Sequence, residues 1–231
     1  MLLESLGAYL PMDRLRAIAD GSALPERAAG AALFADISGF TPLTNALARE
    51  LGPQRGAEEL TRALNAVYTA LIAEVANYGG SVISFSGDAI TCWFDSLQRT
   101  ADSAQRNETG APGSALSRST LSAVACALAL QHVMEQFAAV PTPSGSTVSL
   151  RLKVAVASGT VRRFQVGDPQ YMQLDTLVGD LLDRLATAEH AARRGEVIVD
   201  IRSIPQLVDY MAISEHRLDE RGAPSLPLLA G

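Results

Sequence analysis

GAALFADISGFTPLT, residues 30–44, carries the three signals that decide the fold: an apolar run, an acid that closes it, and a turn that opens a helix. The run GAALFAD at 30–36 has no polar residue before its last position, as expected of a strand covered on both faces. Ser38 and Gly39 supply a turn, and Thr41-Pro42 opens a helix with Pro42 close to its first position. A buried strand thus delivers one carboxylate, Asp36, and then runs into a helix whose first amides have no partner within it.

Downstream, Leu60, Leu64, Val67, Leu71 and Val75 recur at spacings of four, three, four and four, the apolar face of a long helix over 57–78. Tyr78-Gly79-Gly80 stops it. SVISF and AITCWF then predict two strands joined by a tight turn at Ser86-Gly87-Asp88, a hairpin with a carboxylate at its tip. Upstream, AYLPMDRLRAIAD at 8–20 reads as a short amphipathic lead-in helix. The Ser- and Ala-rich segment 96–119 has no periodicity and reads as a loop or insertion, and 121–137 as an apolar helix packed deeply on a sheet.

Residues 148–156 alternate apolar and polar, predicting a half-exposed strand, and Gly159 with Gly167-Asp168 marks a second hairpin. A strand end before Gly179, a helix after it, and a short strand Val197-Ile198-Val199 complete the alternation. Two hairpins among alternating strands and helices require a mixed sheet, hence an α+β fold. The expected organisation is a lead-in helix at 1–28, one domain at 29–222 with a flexible insertion at 98–119, and a linker at 223–231.

Bulk composition limits the function classes. The chain has 231 residues, net charge -6 and 5% aromatics, which argues against nucleic-acid binding. No apolar run approaches the ~20 residues a membrane helix needs, and no basic-then-apolar leader opens the chain, so a cytoplasmic protein without a membrane segment is expected. Cys92 and Cys126 lie in apolar stretches and read as reduced core thiols. His132 and His190 lack neighbours at metal-ligand spacing, Trp93 reads as core, and Arg162-Arg163 and Arg193-Arg194 read as solvated charge.

If the first strand lies beside the hairpin, Asp36 and Asp88 arrive at one edge. Two carboxylates with a backbone carbonyl such as that of Ile37 can hold Mg²⁺, and the turn Ser38-Gly39-Phe40-Thr41 can receive phosphate on helix amides. Asp after a strand and Gly-Asp in a hairpin are also ordinary turn chemistry. Spacing alone leaves both readings open.

FADISGFTPLT at 34–44 and GGSVISFSGDAITCWF at 79–94, in that order and spacing, closely resemble the two signature segments of the class III adenylyl and guanylyl cyclases. The likeness extends through VGDLLDRLATAEHAARRGEVIVD at 178–200, and is greatest to the first domain of the soluble, bicarbonate-responsive type. It implies a ferredoxin-like class III cyclase fold, a mixed and mostly antiparallel sheet covered by helices, working as a head-to-tail dimer with a second cyclase domain.

The implied reaction converts ATP, favoured over GTP, to 3′,5′-cyclic AMP and pyrophosphate in signal transduction, with two Mg²⁺ or Mn²⁺ ions per site. By the same resemblance Asp36 and Asp88 match the metal-binding and catalytic aspartates, Ile37 the carbonyl ligand, and Ser38, Gly39, Phe40 and Thr41 the phosphate turn. Departures are as clear. Ser84 stands where the family's purine-reading lysine and the soluble type's bicarbonate lysine fall, and Asp183 and Thr187 stand at the ribose-binding Asn and the transition-state Arg. Thr176 matches the purine partner, and Arg184 is a candidate substitute for the missing arginine. The resemblance therefore implies the metal-bearing half of a dimeric site or, alternatively, an inactive regulatory domain that binds nucleotide or a partner domain.

Overall fold

The computed structural model describes residues 10–96, 112–208, 210, 213–216 and 227–229. After helix α1 (Met12–Ala19) the chain enters β1 (Arg27–Ser38), α2 (Phe40–Leu51) and the long α3 (Pro53–Asn77). The hairpin β2 (Ser81–Ser86) and β3 (Ala89–Asp95) follows, then α4 (Pro112–Met134). Short strands β4 (Val140–Pro141) and β5 (Thr147–Val148) pair with each other. The 18-residue β6 (Arg151–Asp168), β7 (Met172–Val178), α5 (Asp180–Ala191) and β8 (Val197–Val199) come next. Strands β9 (Ile213–His216) and β10 (Pro227–Leu229) end the order.

The main sheet runs β2-β3-β1-β6-β8-β10-β9, with β7 on β6. Among the described residues only β6 and β8 pair in parallel, and every other pair is antiparallel. This is the expected mixed, mostly antiparallel sheet. Its two faces are covered differently. Leu33, Ala35 and Ile37 of β1 pack with Ile90, Cys92, Val154 and Val156 under α2, α3 and α4. Ala28 and Ala32 of the opposite face pack with Trp93, Ala155 and Ala157 under Leu181, Leu185 and Ala188 of α5. Burial on both sides explains the unbroken apolar run in β1.

Several boundaries differ from expectation. α4 begins at Pro112, so 112–119 is helix rather than insertion; the rest of the expected insertion, 98–111, lies outside the described residues. Thr120 is wholly buried there and donates to Leu116 O at 2.7 Å, satisfying within the helix a hydroxyl that polarity alone would send to a loop. Gly159 is not a hairpin turn but an interior position of β6, facing Gly30 of β1. Its φ of +152° and the Arg184 guanidinium, 3.0 Å from where a Cβ would stand, explain the glycine. β6 is also buried on both faces from Val154 to Ser158, not half-exposed, because α5 covers the second face. Within the expected linker 223–231, Pro227–Leu229 joins the sheet through Leu228 opposite Ile198. Three paired residues are too few to give a periodic signal.

The lead-in helix is tied to the sheet by buried charge. Arg163 of β6, only 5% exposed, is ion-paired to Asp13 of α1, while Arg14 holds Asp175 of β7 at 2.5 Å. The Asp13 amide donates to Ser81 Oγ at 2.9 Å. Arg163 was expected in solvent; strand alternation turns it inward beneath α1, while Arg162 stays outside.

Candidate active site

Asp36 and Asp88 are brought together by pairing. Asp36 lies opposite Ala89 in the β1–β3 register, and the Ile37 amide donates to Asp88 O at 3.1 Å. The hairpin tip is thereby fastened to the end of β1. Tyr68 of α3 donates its hydroxyl to Gly87 O at 3.2 Å, and its pKa is raised by burial first and then by Asp88 and Asp36. Both carboxylates therefore act on the same phenol. Asp88 is exposed and Asp36 half-buried.

Next to this pair, α2 starts at Gly39 with no side-chain cap and no acid in its first turn. Its first amides stay without helical partners and favour an anion. Gly39 has φ +112°, and a Cβ there would stand 2.4 Å from Ser149 O, so glycine alone lets the turn pass the β5–β6 connection. Phe40 is buried and anchors the helix start, Thr41 is exposed, and Ser38 donates to Arg151 O at 3.3 Å.

A cation already stands at Asp36. Lys153 Nζ of β6 lies 3.0 Å from Asp36 Oδ2 and is bonded to Glu189 of α5. Burial opposes the ammonium, but the bonds to Glu189 and Asp36 prevail and hold its pKa above the ordinary value. Sequence reasoning passed over Lys153 as a polar position on a strand, although a signal was present: it is the only lysine in the chain.

The donor set suits a hard divalent ion. Two carboxylates and the Ile37 carbonyl are oxygen ligands of the kind Mg²⁺ and Mn²⁺ take, with remaining positions for water and phosphate. Among the described residues no three His, Cys, Asp or Glu side chains converge as a metal cage. The residues fit a site with few carboxylate ligands, in which a cation would have to take the place that Lys153 holds beside Asp36.

The remaining candidates lie elsewhere on the α5 face. Ser84 and Thr176 line one mostly apolar cavity of about 330 Å³, with Phe34, Ile83, Leu182 and Glu189 among its other walls. Asp183 is exposed on α5 and outside that lining, and Thr187 is occupied with the Asp183 carbonyl at 2.9 Å. Arg184 is neither solvated nor available: it pairs with Asp200, with Asp180 at 3.1 Å, and donates to Ser158 O at 2.9 Å. His132 and His190 are surface residues, with side chains 83% exposed. Trp93 is core, and burial pushes the Cys126 thiol up to about 12 and the Cys92 thiol well up.

A mixed, mostly antiparallel sheet of this order, covered by helices on both faces, is the fold of class III nucleotide cyclase domains. Solved structures bear this out. The guanylate cyclase domain of RhGC from Catenaria anguillulae in complex with GTP superposes with TM-score 0.62 at 16% identity, over 90% of this chain and 99% of that one. The adenylyl cyclase CyaB from P. aeruginosa gives 0.60 at 20% identity, over 89% and 95%. A bacterial light-regulated adenylyl cyclase gives 0.67 at 16% identity, over 98% and 60%.

In sequence the chain is similar to adenylate cyclase type 10. It is 25% identical to the Mus musculus protein over 98% of this chain and 13% of that protein, and 25% identical to the Homo sapiens protein over 74% and 9%. The chain thus spans about 13% of the length of the mouse relative. No family model matches it.

Proposed function

We propose that this chain supplies the metal-binding half of a two-domain nucleotide cyclase site that converts ATP to 3′,5′-cyclic AMP and pyrophosphate. The observation that carries the reading is the fastening of Asp88 to the end of β1 beside Asp36, at the open N-terminus of α2. Asp36, Asp88 and the Ile37 carbonyl would hold the ions, and the Gly39, Phe40 and Thr41 amides and the Ser38 hydroxyl would receive the triphosphate. Two bound Mg²⁺ or Mn²⁺ ions would acidify the ribose 3′-hydroxyl and neutralise charge on the leaving group. The 3′-oxygen bonds to the α-phosphorus, the bond from the α-phosphorus to the bridging oxygen breaks so that pyrophosphate leaves with that oxygen, and the hydroxyl proton passes to water.

This chain cannot supply everything that reaction needs. A cation on the developing phosphoryl charge is worth several kcal/mol of barrier, and Thr187 carries none while Arg184 is engaged with Asp200. A second cyclase domain bearing Lys, Asn and Arg completes the site. The β6–β7 hairpin supports such a partner: Val166, Met172 and Leu174 project from it more than half exposed. ATP over GTP rests on the kinship with adenylate cyclase type 10.

The test mixes this chain with a domain carrying Lys, Asn and Arg and measures products with Mg²⁺ or Mn²⁺. Cyclic nucleotide with pyrophosphate is expected from the mixture and little from this chain alone. Orthophosphate as product would overturn the reading. The second reading, a regulatory domain that binds nucleotide without turnover, is favoured by Ser84 and Thr187; nucleotide binding by calorimetry without cyclic product beside the competent domain would establish it.

A further inference from the structure

The nineteen basic residues of the chain are eighteen arginines and one lysine, Lys153. That single ammonium is held by three elements. Asp36 of β1 and Lys153 of β6 are directly paired in register, both on the α5 side of the sheet, and Glu189 from the last turn of α5 closes on the same Nζ. The side chains are only 23%, 23% and 15% exposed for Asp36, Lys153 and Glu189, so the contact is not a loose surface pair.

We propose that Lys153 is a built-in counter-ion of Asp36 that a divalent cation must displace in order to bind. This rests on the reading of Asp36 as a metal ligand. An ammonium is a compact point charge on a flexible stem, able to sit where a metal sits and to swing away; the planar fork of an arginine is fitted to neither task. Without it, the partly buried Asp36 carboxylate would stand beside Asp88 with no neutralising charge. Two cations at one carboxylate repel, so occupancy by one disfavours the other. Glu189 lets the exchange occur without stranding a charge, because Lys153 keeps a carboxylate partner after leaving Asp36. Metal arrival at Asp36 is thereby felt at α5, the helix that carries Asp183, Arg184 and Thr187.

The decisive measurement is Mn²⁺ binding to the full chain, followed by the electron paramagnetic resonance signal of free Mn²⁺, for wild type, Lys153→Met and Asp36→Asn. Lys153→Met is expected to bind Mn²⁺ about tenfold more tightly than wild type, an effect that simple structural damage would not produce. Asp36→Asn is expected to lose binding. Unchanged or weaker affinity in Lys153→Met, with binding still dependent on Asp36, overturns the counter-ion role and leaves the metal reading standing. Binding indifferent to Asp36, or none in any of the three proteins, overturns both. A second readout needs no substitution: ¹³C-lysine-labelled protein gives one ε-methylene signal, expected to shift as Mg²⁺ saturates the site. A signal unmoved at saturation contradicts the proposal.

Discussion

Asp36, Asp88 and Gly39 come together at the end of β1, both acids beside a glycine turn. Both acids stand at chain reversals marked by local punctuation, the Ser38-Gly39 turn and Gly87-Asp88, so their placement at strand ends could be read directly. Gly39 combines strain with a clash: φ is +112° and a Cβ would lie 2.4 Å from Ser149 O. Gly87 has φ +64° with nothing within 4 Å. Gly87→Ala should therefore cost about 1–2 kcal/mol of left-handed strain, whereas Gly39→Ala should cost more, about 3 kcal/mol, because the backbone must also retreat. Urea unfolding of the two variants checks the order; equal losses would mean that the approach to Ser149 imposes nothing. Lys153 was the residue left unread. Its meaning depends on Asp36 lying opposite it across 117 residues of sequence, a register that no local pattern specifies.

At the scale of elements, α3, the β2–β3 hairpin and α5 were legible because each carries its own periodicity and its own stop signal. The extent of β6 and the start of α4 were not. In β6 a glycine suggests a turn unless the neighbouring Gly30 is known, and in α4 polar hydroxyls hide inside a helix. α1 shows the same limit, since its amphipathic pattern gave a helix without saying that Asp13 would neutralise a buried arginine. Among the described residues Arg163 Nε and Nη2 have no hydrogen-bond partner, Asp13 is bonded to Nη1, and Asp175 stands 3.8 Å from Nη2, so two carboxylates share its charge. Asp13→Ala should cost up to about 3 kcal/mol by removing the hydrogen-bonded partner and leaving Arg163 only the more distant Asp175, which Arg14 also holds, and Arg163→Met added to it should restore part of the loss. Thermal or denaturant unfolding of the single and double variants checks this; a double variant no more stable than the single one would show that α1 is held by apolar packing instead.

For the molecule as a whole, the fold separates a sheet face sealed by α2, α3 and α4 from one that α5 covers only in part. Asp36, Lys153, Ser84 and Thr176 all belong to the second face, and the β6–β7 arm projects its apolar side chains beyond the sheet. That division agrees with the proposed half-site, in which the covered face would fix the two aspartates and the other would receive a complementary domain. No helix among the described residues is long and apolar enough to cross a membrane. Asp36 and Asp88 are proposed to form the metal-binding half of a cyclase site. That role is tested most directly by cyclic nucleotide formation from ATP and Mn²⁺ in the mixture of this chain with a domain carrying Lys, Asn and Arg, comparing wild type with Asp36→Ala and Asp88→Ala. Each substitution is expected to lower the rate at least about a hundredfold while the chain still binds its partner; cyclic nucleotide formed by Asp36→Ala at the wild-type rate would rule out a metal role for Asp36.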